Sequence, residues 1–198
     1  MNRRRGRLRA GLTSLAATGR IEAAGGTGVG RRPVAAKISV PFDGYRDVVR
    51  GAWIDSNGHL NMGYYVVVFD YATDAWLDHI GLDAHHKASQ RAMTFTLESH
   101  VTYRREVGEG AELRFTTRLL DFDEKRIHYF HEMYADPEDT LAATNELVSL
   151  HVSQETRRSA PMAPEVVERL GEILRAHRTL SIPPQVGRVM GLKADPTT

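Results

Sequence analysis

The segment "WIDSNGHLN", Trp53 to Asn61, concentrates side chains that can transfer protons and form hydrogen bonds. Asp55, Asn57, His59 and Asn61 occupy alternate positions in it. A carboxylate can act as a general base or as a nucleophile, and an imidazole can orient that carboxylate or donate a proton. Aspartate, asparagine and glycine are also common in ordinary turns, so the segment has a purely structural interpretation as well.

An apolar pattern with helical spacing follows this segment and predicts a helix from Met62 to Ile80, which Gly81 is placed to end. The first backbone N–H groups of a helix have no internal partner and lie at its positive end. With Asn61 as the cap, we expect the N–H groups of Met62 and Gly63 to stabilise an oxyanion formed beside them. Asp55 can then act in one of two ways. It attacks a carbonyl carbon directly, or it activates a water molecule that attacks this carbon.

The rest of the chain predicts the framework around this helix. A short strand is predicted before the motif, at Tyr45 to Trp53, and beyond His86 the apolar spacing changes from helical to alternating. The alternation predicts four long strands joined by tight turns, followed by a surface helix with Pro164 near its first turn. This order predicts an α+β protein in which an antiparallel sheet wraps around one long central helix.

The first of the four long strands is predicted to have one apolar face, made by Met93, Phe95, Leu97, Val101 and Tyr103. One sheet covers only one side of the central helix, whereas the apolar surface of that helix extends around most of it. We therefore expect a second copy of the chain to complete the structure, as a homodimer or a homotetramer.

The other histidines are poor candidates for a metal site. His128 and His131 are three residues apart on a predicted strand, so they point to opposite faces. His85 and His86 are expected to be exposed in a loop after the central helix. The chain has no cysteine, which excludes disulfides, thiolate catalysis and cysteine-ligated zinc. We therefore expect neither a metal nor another cofactor.

Charge is distributed unevenly along the chain. Residues 1–33 contain eight arginines and one acidic residue, Glu22, which leaves 18 basic and 24 acidic side chains in residues 34–198. An acidic body argues against nucleic acid as a partner. No apolar run is long enough to span a bilayer, so we expect no membrane association. The absence of cysteine fits the reducing cytoplasm.

These observations divide the chain into three parts. We predict a disordered basic extension at residues 1–37; a transit peptide is the alternative, because Leu8, Leu12 and Leu15 recur at helical spacing among arginines. The sheet-and-helix domain is expected at residues 38–155, and the C-terminal helix with its tail at residues 156–198.

The motif and the order of elements resemble those of the hotdog-fold thioesterases, over about residues 45–152. The Asp-x-Asn-x-His pattern is similar to that of plant acyl-acyl-carrier-protein thioesterases, which implies catalytic roles for Asp55, Asn57 and His59. The resemblance implies a hotdog fold and hydrolysis of a thioester, with an acyl-CoA as the substrate.

A second branch of that superfamily, the 4-hydroxybenzoyl-CoA thioesterases, has an aspartate three residues before a glycine, which matches Asp55 and Gly58. Its carbonyl-polarising backbone N–H lies seven residues after the aspartate, which implies that of Met62. That branch often has a second acid two residues before the catalytic one, and this chain has Trp53 there. The difference concerns the acyl pocket more than the chemistry.

A narrower resemblance links the chain to the betainyl-CoA thioesterases of bacterial carnitine metabolism. It is carried by blocks such as "WIDSNGHLNMGYYVVVFDYATDAWLDHIGL" and "LLDFDEKRIHYFHEMY". The implied reaction converts betainyl-CoA and water into glycine betaine and coenzyme A. A trimethylammonium group favours aromatic faces, so Trp53, Tyr64 and Tyr65 are candidate substrate-binding residues.

Two alternatives belong to other classes of protein. A hotdog enoyl-CoA hydratase also uses an aspartate and a histidine, but its usual pattern has a proline before the histidine and one more residue between the pair, and "DSNGH" lacks both. A non-catalytic acyl-CoA-binding module is the other alternative, and the intact set of Asp55, Asn57 and His59 weighs against it.

Overall fold

The computed structural model describes residues 38–192, so the predictions made for residues 1–37 lie outside the described residues. Its elements follow one another along the chain as strands β1 to β5 and helices α1 to α3. In chain order they are β1 (Phe42–Val48), a 3₁₀ turn (Gly51–Trp53), α1 (Met62–Ile80), α2 (Ala84–Ser89), β2 (Ala92–Tyr103), β3 (Glu112–Phe122), β4 (Arg126–Ala135), β5 (Thr140–Ser153) and α3 (Pro164–His177).

Helix α1 has the predicted limits because capping residues stand at both ends. Asn61 keeps an extended backbone, and its side-chain oxygen accepts a hydrogen bond from the N–H of Gly63. At the other end Gly81 adopts a φ of 91°, a left-handed conformation that favours glycine, and its N–H donates to the Asp78 carbonyl. The predicted helix is confirmed.

The described strands form one antiparallel sheet in the order β1-β3-β4-β5-β2. Helix α1 packs across one face of it, where Phe69 and Trp76 of the helix and Phe115 and Tyr129 of the sheet are fully buried. Burial of a large apolar side chain contributes roughly 1.5–3 kcal/mol, so this contact holds the helix firmly in place. The predicted α+β architecture, with one long helix against an antiparallel sheet, is confirmed.

Strand β1 differs from its prediction, because it lies at Phe42–Val48 and not at Tyr45–Trp53. The N–H of Val49 still donates to the Ala111 carbonyl at 3.0 Å, and the chain then leaves the sheet. A 3₁₀ turn at Gly51–Trp53 follows. The apolar residues at the end of the predicted strand reach the core from this turn. The alternation of apolar and polar residues alone does not distinguish such a turn from a strand.

Strand β2 does not have the single apolar face predicted for it. Its register against β5 shifts between Thr96 and Glu98, and the extra residue of this bulge reverses the alternation. Val101 and Tyr103, after the bulge, lie on the side of α1. Phe95, before it, lies on the opposite side and is 55% exposed. The prediction was wrong because a bulge leaves no clear mark in a pattern of apolar residues.

Helix α3 is confirmed with Pro164 at its start, and it buries one side against the protein. Leu170 and Ile173 are fully buried in the same cluster as Trp76 of α1. His177 at its end accepts a hydrogen bond from the Leu119 N–H at 2.9 Å and donates to the Ser39 carbonyl at 3.0 Å. Burial lowers the pKa of His177, so α3 is fixed to the sheet by a neutral imidazole.

The prediction that His86 is exposed in a loop was wrong. The residue lies on the short helix α2, which Asp83 caps through the N–H of His86 at 2.8 Å. This turn of helix directs the imidazole inward, where its Nε2 lies 3.0 Å from Nε2 of the buried His151. Burial, together with the neighbouring His151, lowers the pKa of His86.

His128 and His131 point to opposite faces of the sheet, as predicted. His128 Nε2 lies 2.8 Å from a carboxylate oxygen of Glu146 on the face away from α1. His131 is fully buried against α1, 3.0 Å from the Thr73 hydroxyl and 2.8 Å from the Thr117 hydroxyl. Burial lowers the pKa of His131 to about 3, so it is a neutral hydrogen-bonding residue of the core.

Candidate active site

The motif folds into a tight loop immediately before α1. Ile54 and Leu60 form an isolated bridge, and the Asp55 N–H donates to the His59 carbonyl at 3.0 Å. The turn between them is closed by the Gly58 N–H, which donates to the Asp55 carbonyl at 3.0 Å. Gly58 has a φ of 84°, which accounts for a glycine at this position.

Two backbone hydrogen bonds fix this loop to the rest of the protein. The Asn61 N–H donates to the Trp53 carbonyl at 2.9 Å, and the Leu60 N–H donates to the Val107 carbonyl at 2.8 Å. The Leu60 side chain is almost completely buried in the core. The loop therefore holds Asp55 at the N-terminus of α1 in a defined position.

Asp55 lines an open cavity of about 450 Å³. One of its carboxylate oxygens accepts a hydrogen bond from the Asn57 N–H at 2.8 Å. The other oxygen has no hydrogen-bond partner among residues 38–192. The residues that line the cavity are Asp55, His59, Leu60, Met62, Tyr65, Tyr103, Arg104, Arg105 and Glu106.

The first two backbone N–H groups of α1 differ in whether they have an acceptor. The Gly63 N–H is occupied, because it donates to the Asn61 side chain at 2.9 Å. The Met62 N–H has no acceptor within the described part of the chain, and Met62 borders the cavity. Of the two donors expected from the sequence, the structure therefore leaves that of Met62 available.

The two other residues of the predicted catalytic set differ in position. His59 is half-buried at the edge of the cavity, and its Nδ1 lies 3.4 Å from the Leu60 carbonyl, which leaves the ring weakly held. The side chain of Asn57 is exposed and is not part of the cavity lining. The contact that Asn57 makes with Asp55 runs through its backbone N–H.

Of the three aromatic residues predicted to bind substrate, only one lines the cavity. The rings of Trp53 and Tyr64 stack at 5.5 Å between centroids, and the guanidinium of Arg50 covers Trp53 at 4.2 Å. Neither of these two rings borders the cavity of Asp55, whereas Tyr65 does. Sequence reasoning missed Tyr103, which joins Tyr65 there.

Two arginines that follow β2, Arg104 and Arg105, border the cavity. Arg104 and Arg105 have fixed backbones, since both N–H groups donate to the Ala142 carbonyl, at 2.9 and 3.1 Å. Lys125, in the turn between β3 and β4, and Arg126, the first residue of β4, do not line this cavity.

Residues 38–192 contain no cluster of three or more histidine, aspartate or glutamate side chains arranged to hold a metal ion. Within the same residues, no helix combines the length and apolar character needed to cross a membrane.

Comparisons with known proteins identify the class to which this fold and site belong. Residues 49–170 match the family model of the thioesterase-like superfamily. A betainyl-CoA thioesterase of Pseudomonas aeruginosa is 43% identical over 148 residues, which cover 75% of this chain and 93% of that protein.

Two solved structures show the same architecture. A putative thioesterase from Pseudomonas putida KT2440 has a TM-score of 0.68 at 36% identity, and covers 78% of this chain and 98% of its own. A Staphylococcus aureus protein solved in complex with CoA has a TM-score of 0.72 at 25% identity, and covers 80% of this chain and 100% of its own.

The chain therefore belongs to the thioesterase-like superfamily. Its architecture is the hotdog fold, and its activity is the hydrolysis of an acyl-CoA thioester. The resemblance seen in the sequence is confirmed at this level, and thioester hydrolysis is supported over both alternatives considered there.

Proposed function

We propose that this enzyme hydrolyses betainyl-CoA to glycine betaine and coenzyme A. The similarity to the P. aeruginosa enzyme supports this substrate, because it extends over nearly the whole of that protein. The observation that supports the reaction is the cavity itself, since Asp55 and Met62, the first residue of α1, line the same space. A thioester carbonyl placed there meets a base and an oxyanion donor together.

In the mechanism that we propose, the free carboxylate oxygen of Asp55 takes a proton from water while the water oxygen attacks the thioester carbon. The carbonyl oxygen becomes an oxyanion, which accepts a hydrogen bond from the Met62 N–H. When the carbon–sulfur bond breaks, the leaving thiolate receives the proton back from Asp55. Direct attack by Asp55, giving an anhydride that water then hydrolyses, uses the same residues and stays open as the second route.

The side chains of Arg104 and Arg105 are proposed to bind phosphate groups of coenzyme A. Their backbones are fixed at the edge of the cavity, and both side chains are exposed. Arginine suits this role because its guanidinium binds phosphate oxygens through two parallel hydrogen bonds. A cytoplasmic location is also proposed, because the chain has no cysteine and its substrate carries coenzyme A.

A panel of thioesters tests the substrate. The full-length protein is given betainyl-CoA, acetyl-CoA, 4-hydroxybenzoyl-CoA and crotonyl-CoA, and release of the coenzyme A thiol is followed with a thiol reagent. We expect betainyl-CoA to have the highest kcat/KM. Loss of the crotonyl double bond without thiol release would indicate a hydratase, and thiol release that is fastest from another ester would contradict the proposed substrate.

We further propose that the enzyme is a homodimer formed through the edge strand β2. This strand has 12 residues and, among the described strands, pairs only with β5. It exposes Phe95 and Leu97 to 55% and 53%. A long, apolar, unpaired edge normally invites pairing with another strand. Met62 and Tyr103, beside the cavity, are also 68% and 46% exposed, so a second copy would cover its open side.

If the dimer forms through β2, acidic residues introduced on the exposed face of this strand should prevent dimer formation. The double variant Phe95→Asp, Leu97→Asp should be a monomer with strongly reduced turnover, because two carboxylates cannot be buried in an apolar interface. Light scattering gives the mass, and thiol release gives the turnover. Ile182→Asp, which changes an exposed apolar residue outside the sheet, should keep the dimer. A wild-type protein that is monomeric and fully active would refute the proposed assembly.

A further inference from the structure

Two tyrosine rings form a corner beside the reaction centre. Tyr65 and Tyr103 have centroids 5.2 Å apart and planes at 87°, and both border the cavity of Asp55. Their hydroxyl groups are already engaged, because Tyr65 donates to the Arg105 carbonyl at 3.0 Å and Tyr103 donates to the Met62 carbonyl at 3.3 Å. The rings are therefore held in place. Tyr103 is the accessible one of the two, since it is 46% exposed whereas Tyr65 is 3% exposed.

Charged residues line the same cavity as the two tyrosine rings, and Glu106 is one of them. Burial raises the pKa of Tyr65, and the nearby Tyr103 and the carboxylate of Glu106 raise it further. The charges lining the cavity balance, since Asp55 and Glu106 oppose Arg104 and Arg105. The overall charge of the cavity therefore does not select a cation, and a preference for one has to come from local contacts.

We propose that Tyr103, supported by Tyr65 and by the carboxylate of Glu106, binds the quaternary ammonium group of the acyl moiety and sets the preference for a cationic substrate. This inference rests on the proposed hydrolysis of betainyl-CoA. Only one methylene separates the carbonyl carbon from the nitrogen in that acyl group, so the cation lies close to the oxyanion site.

The position next to a helix N-terminus explains why such contacts are needed. The positive end of α1 favours the developing oxyanion but repels a cation beside it. The negative faces of aromatic rings attract quaternary ammonium groups, and they do so without removing the negative charge of the base. The Tyr103 hydroxyl donates to the carbonyl of Met62, and the N–H of Met62 is the proposed oxyanion donor. The Tyr103 ring therefore lies next to the proposed oxyanion site.

A pair of substrates with the same shape isolates this effect. Betainyl-CoA and 3,3-dimethylbutanoyl-CoA differ only in a nitrogen that replaces a quaternary carbon, so they differ in charge and hardly in volume. The ratio of their kcat/KM values measures recognition of the cation alone. We expect the wild-type enzyme to favour betainyl-CoA by about 10-fold, the scale of a cation–aromatic contact in a partly desolvated site.

Three variants locate the contact. Tyr103→Leu should lose most of the preference, because kcat/KM for betainyl-CoA should fall about 10-fold more than the value for the neutral ester. Tyr103→Phe keeps the ring and should keep the preference, and Glu106→Gln should reduce it in part. Tyr71→Leu, which removes a partly exposed tyrosine on α1 that is not part of the cavity, is the matched control and should leave the ratio unchanged.

Each result decides between distinct conclusions. An equal loss for both esters in Tyr103→Leu would mean that the residue only supports Met62, and would overturn the proposal. A wild-type enzyme that hydrolyses both esters equally well would overturn cation recognition while leaving thioester hydrolysis intact. Hydrolysis of neither ester, with activity on other acyl-CoA esters, would overturn the proposed substrate as well. If Tyr103→Leu does not fold, the wild-type ratio and the ratios of Tyr103→Phe and Glu106→Gln decide.

Discussion

Replacing Asp55 with asparagine should reduce kcat for betainyl-CoA by at least about 100-fold, because the amide cannot accept the proton that the attacking water gives up. The change preserves the local architecture. An asparagine side-chain oxygen can still accept the hydrogen bond that the Asn57 N–H now donates to Asp55 at 2.8 Å. The thermal melting temperature and the mass of the assembly should therefore stay at their wild-type values, while thiol release falls.

Asp55→Ala completes this comparison, because it removes the turn contact and the base together. If Asp55 acts in chemistry, the alanine and asparagine variants should be damaged to a similar degree. If Asp55 only shapes the turn, asparagine should restore most of the activity that alanine loses, since asparagine serves turns as well as aspartate does. Coenzyme A release by Asp55→Asn at near wild-type rate would end the proposed mechanism.

The elements that position the site could be predicted because local signals define them. Helix α1 begins and ends where a capping asparagine and a left-handed glycine stand, so its limits follow from Asn61 and Gly81 alone. The turn of the motif is equally local, since Gly58 and the Asx contact of Asp55 lie within four residues. A sequence expresses such features directly, because all the interacting groups are neighbours in it.

The lining of the cavity could not be predicted in the same way, because it depends on contacts between distant residues. Tyr103 meets Tyr65 only because β2 runs back along the sheet to the start of α1, and a bulge in β2 decides which side its ring takes. Trp53 and Tyr64 are closer to Asp55 in sequence, yet they stack on each other outside the cavity. Proximity in sequence was therefore a poor guide to which aromatic residues border the site.

The same distinction applies to the oxyanion donor. A helix start predicts several free N–H groups, but the capping side chain accepts a hydrogen bond from one of them. The rotamer of the capping side chain decides which N–H group this is. Here Asn61 accepts from Gly63, so the Met62 N–H is the one that we propose as the oxyanion donor. A backbone donor cannot be removed by changing a side chain, with the exception of a change to proline.

Met62→Pro should lower kcat by about 100- to 1000-fold relative to Met62→Ala, the usual effect of deleting one oxyanion donor. Proline is well tolerated at the first position of a helix, where its missing N–H has no helical partner. The preceding residue, Asn61, has φ −61° and ψ 140°, a conformation that suits a residue before proline. The Met62 side chain is 68% exposed, so its loss costs little stability, and alanine controls for that loss while keeping the N–H.

The measurement compares the two variants side by side for kcat, KM and melting temperature. Both should melt close to the wild-type temperature, and KM should change little, because the hydrogen bond to Met62 strengthens mainly as the oxyanion forms. Equal kcat values in Met62→Pro and Met62→Ala would place the oxyanion donor elsewhere, for example on a second subunit. A deficit confined to Met62→Pro would show that the N-terminus of α1 is part of the catalytic machinery, which also explains why the motif lies directly before that helix.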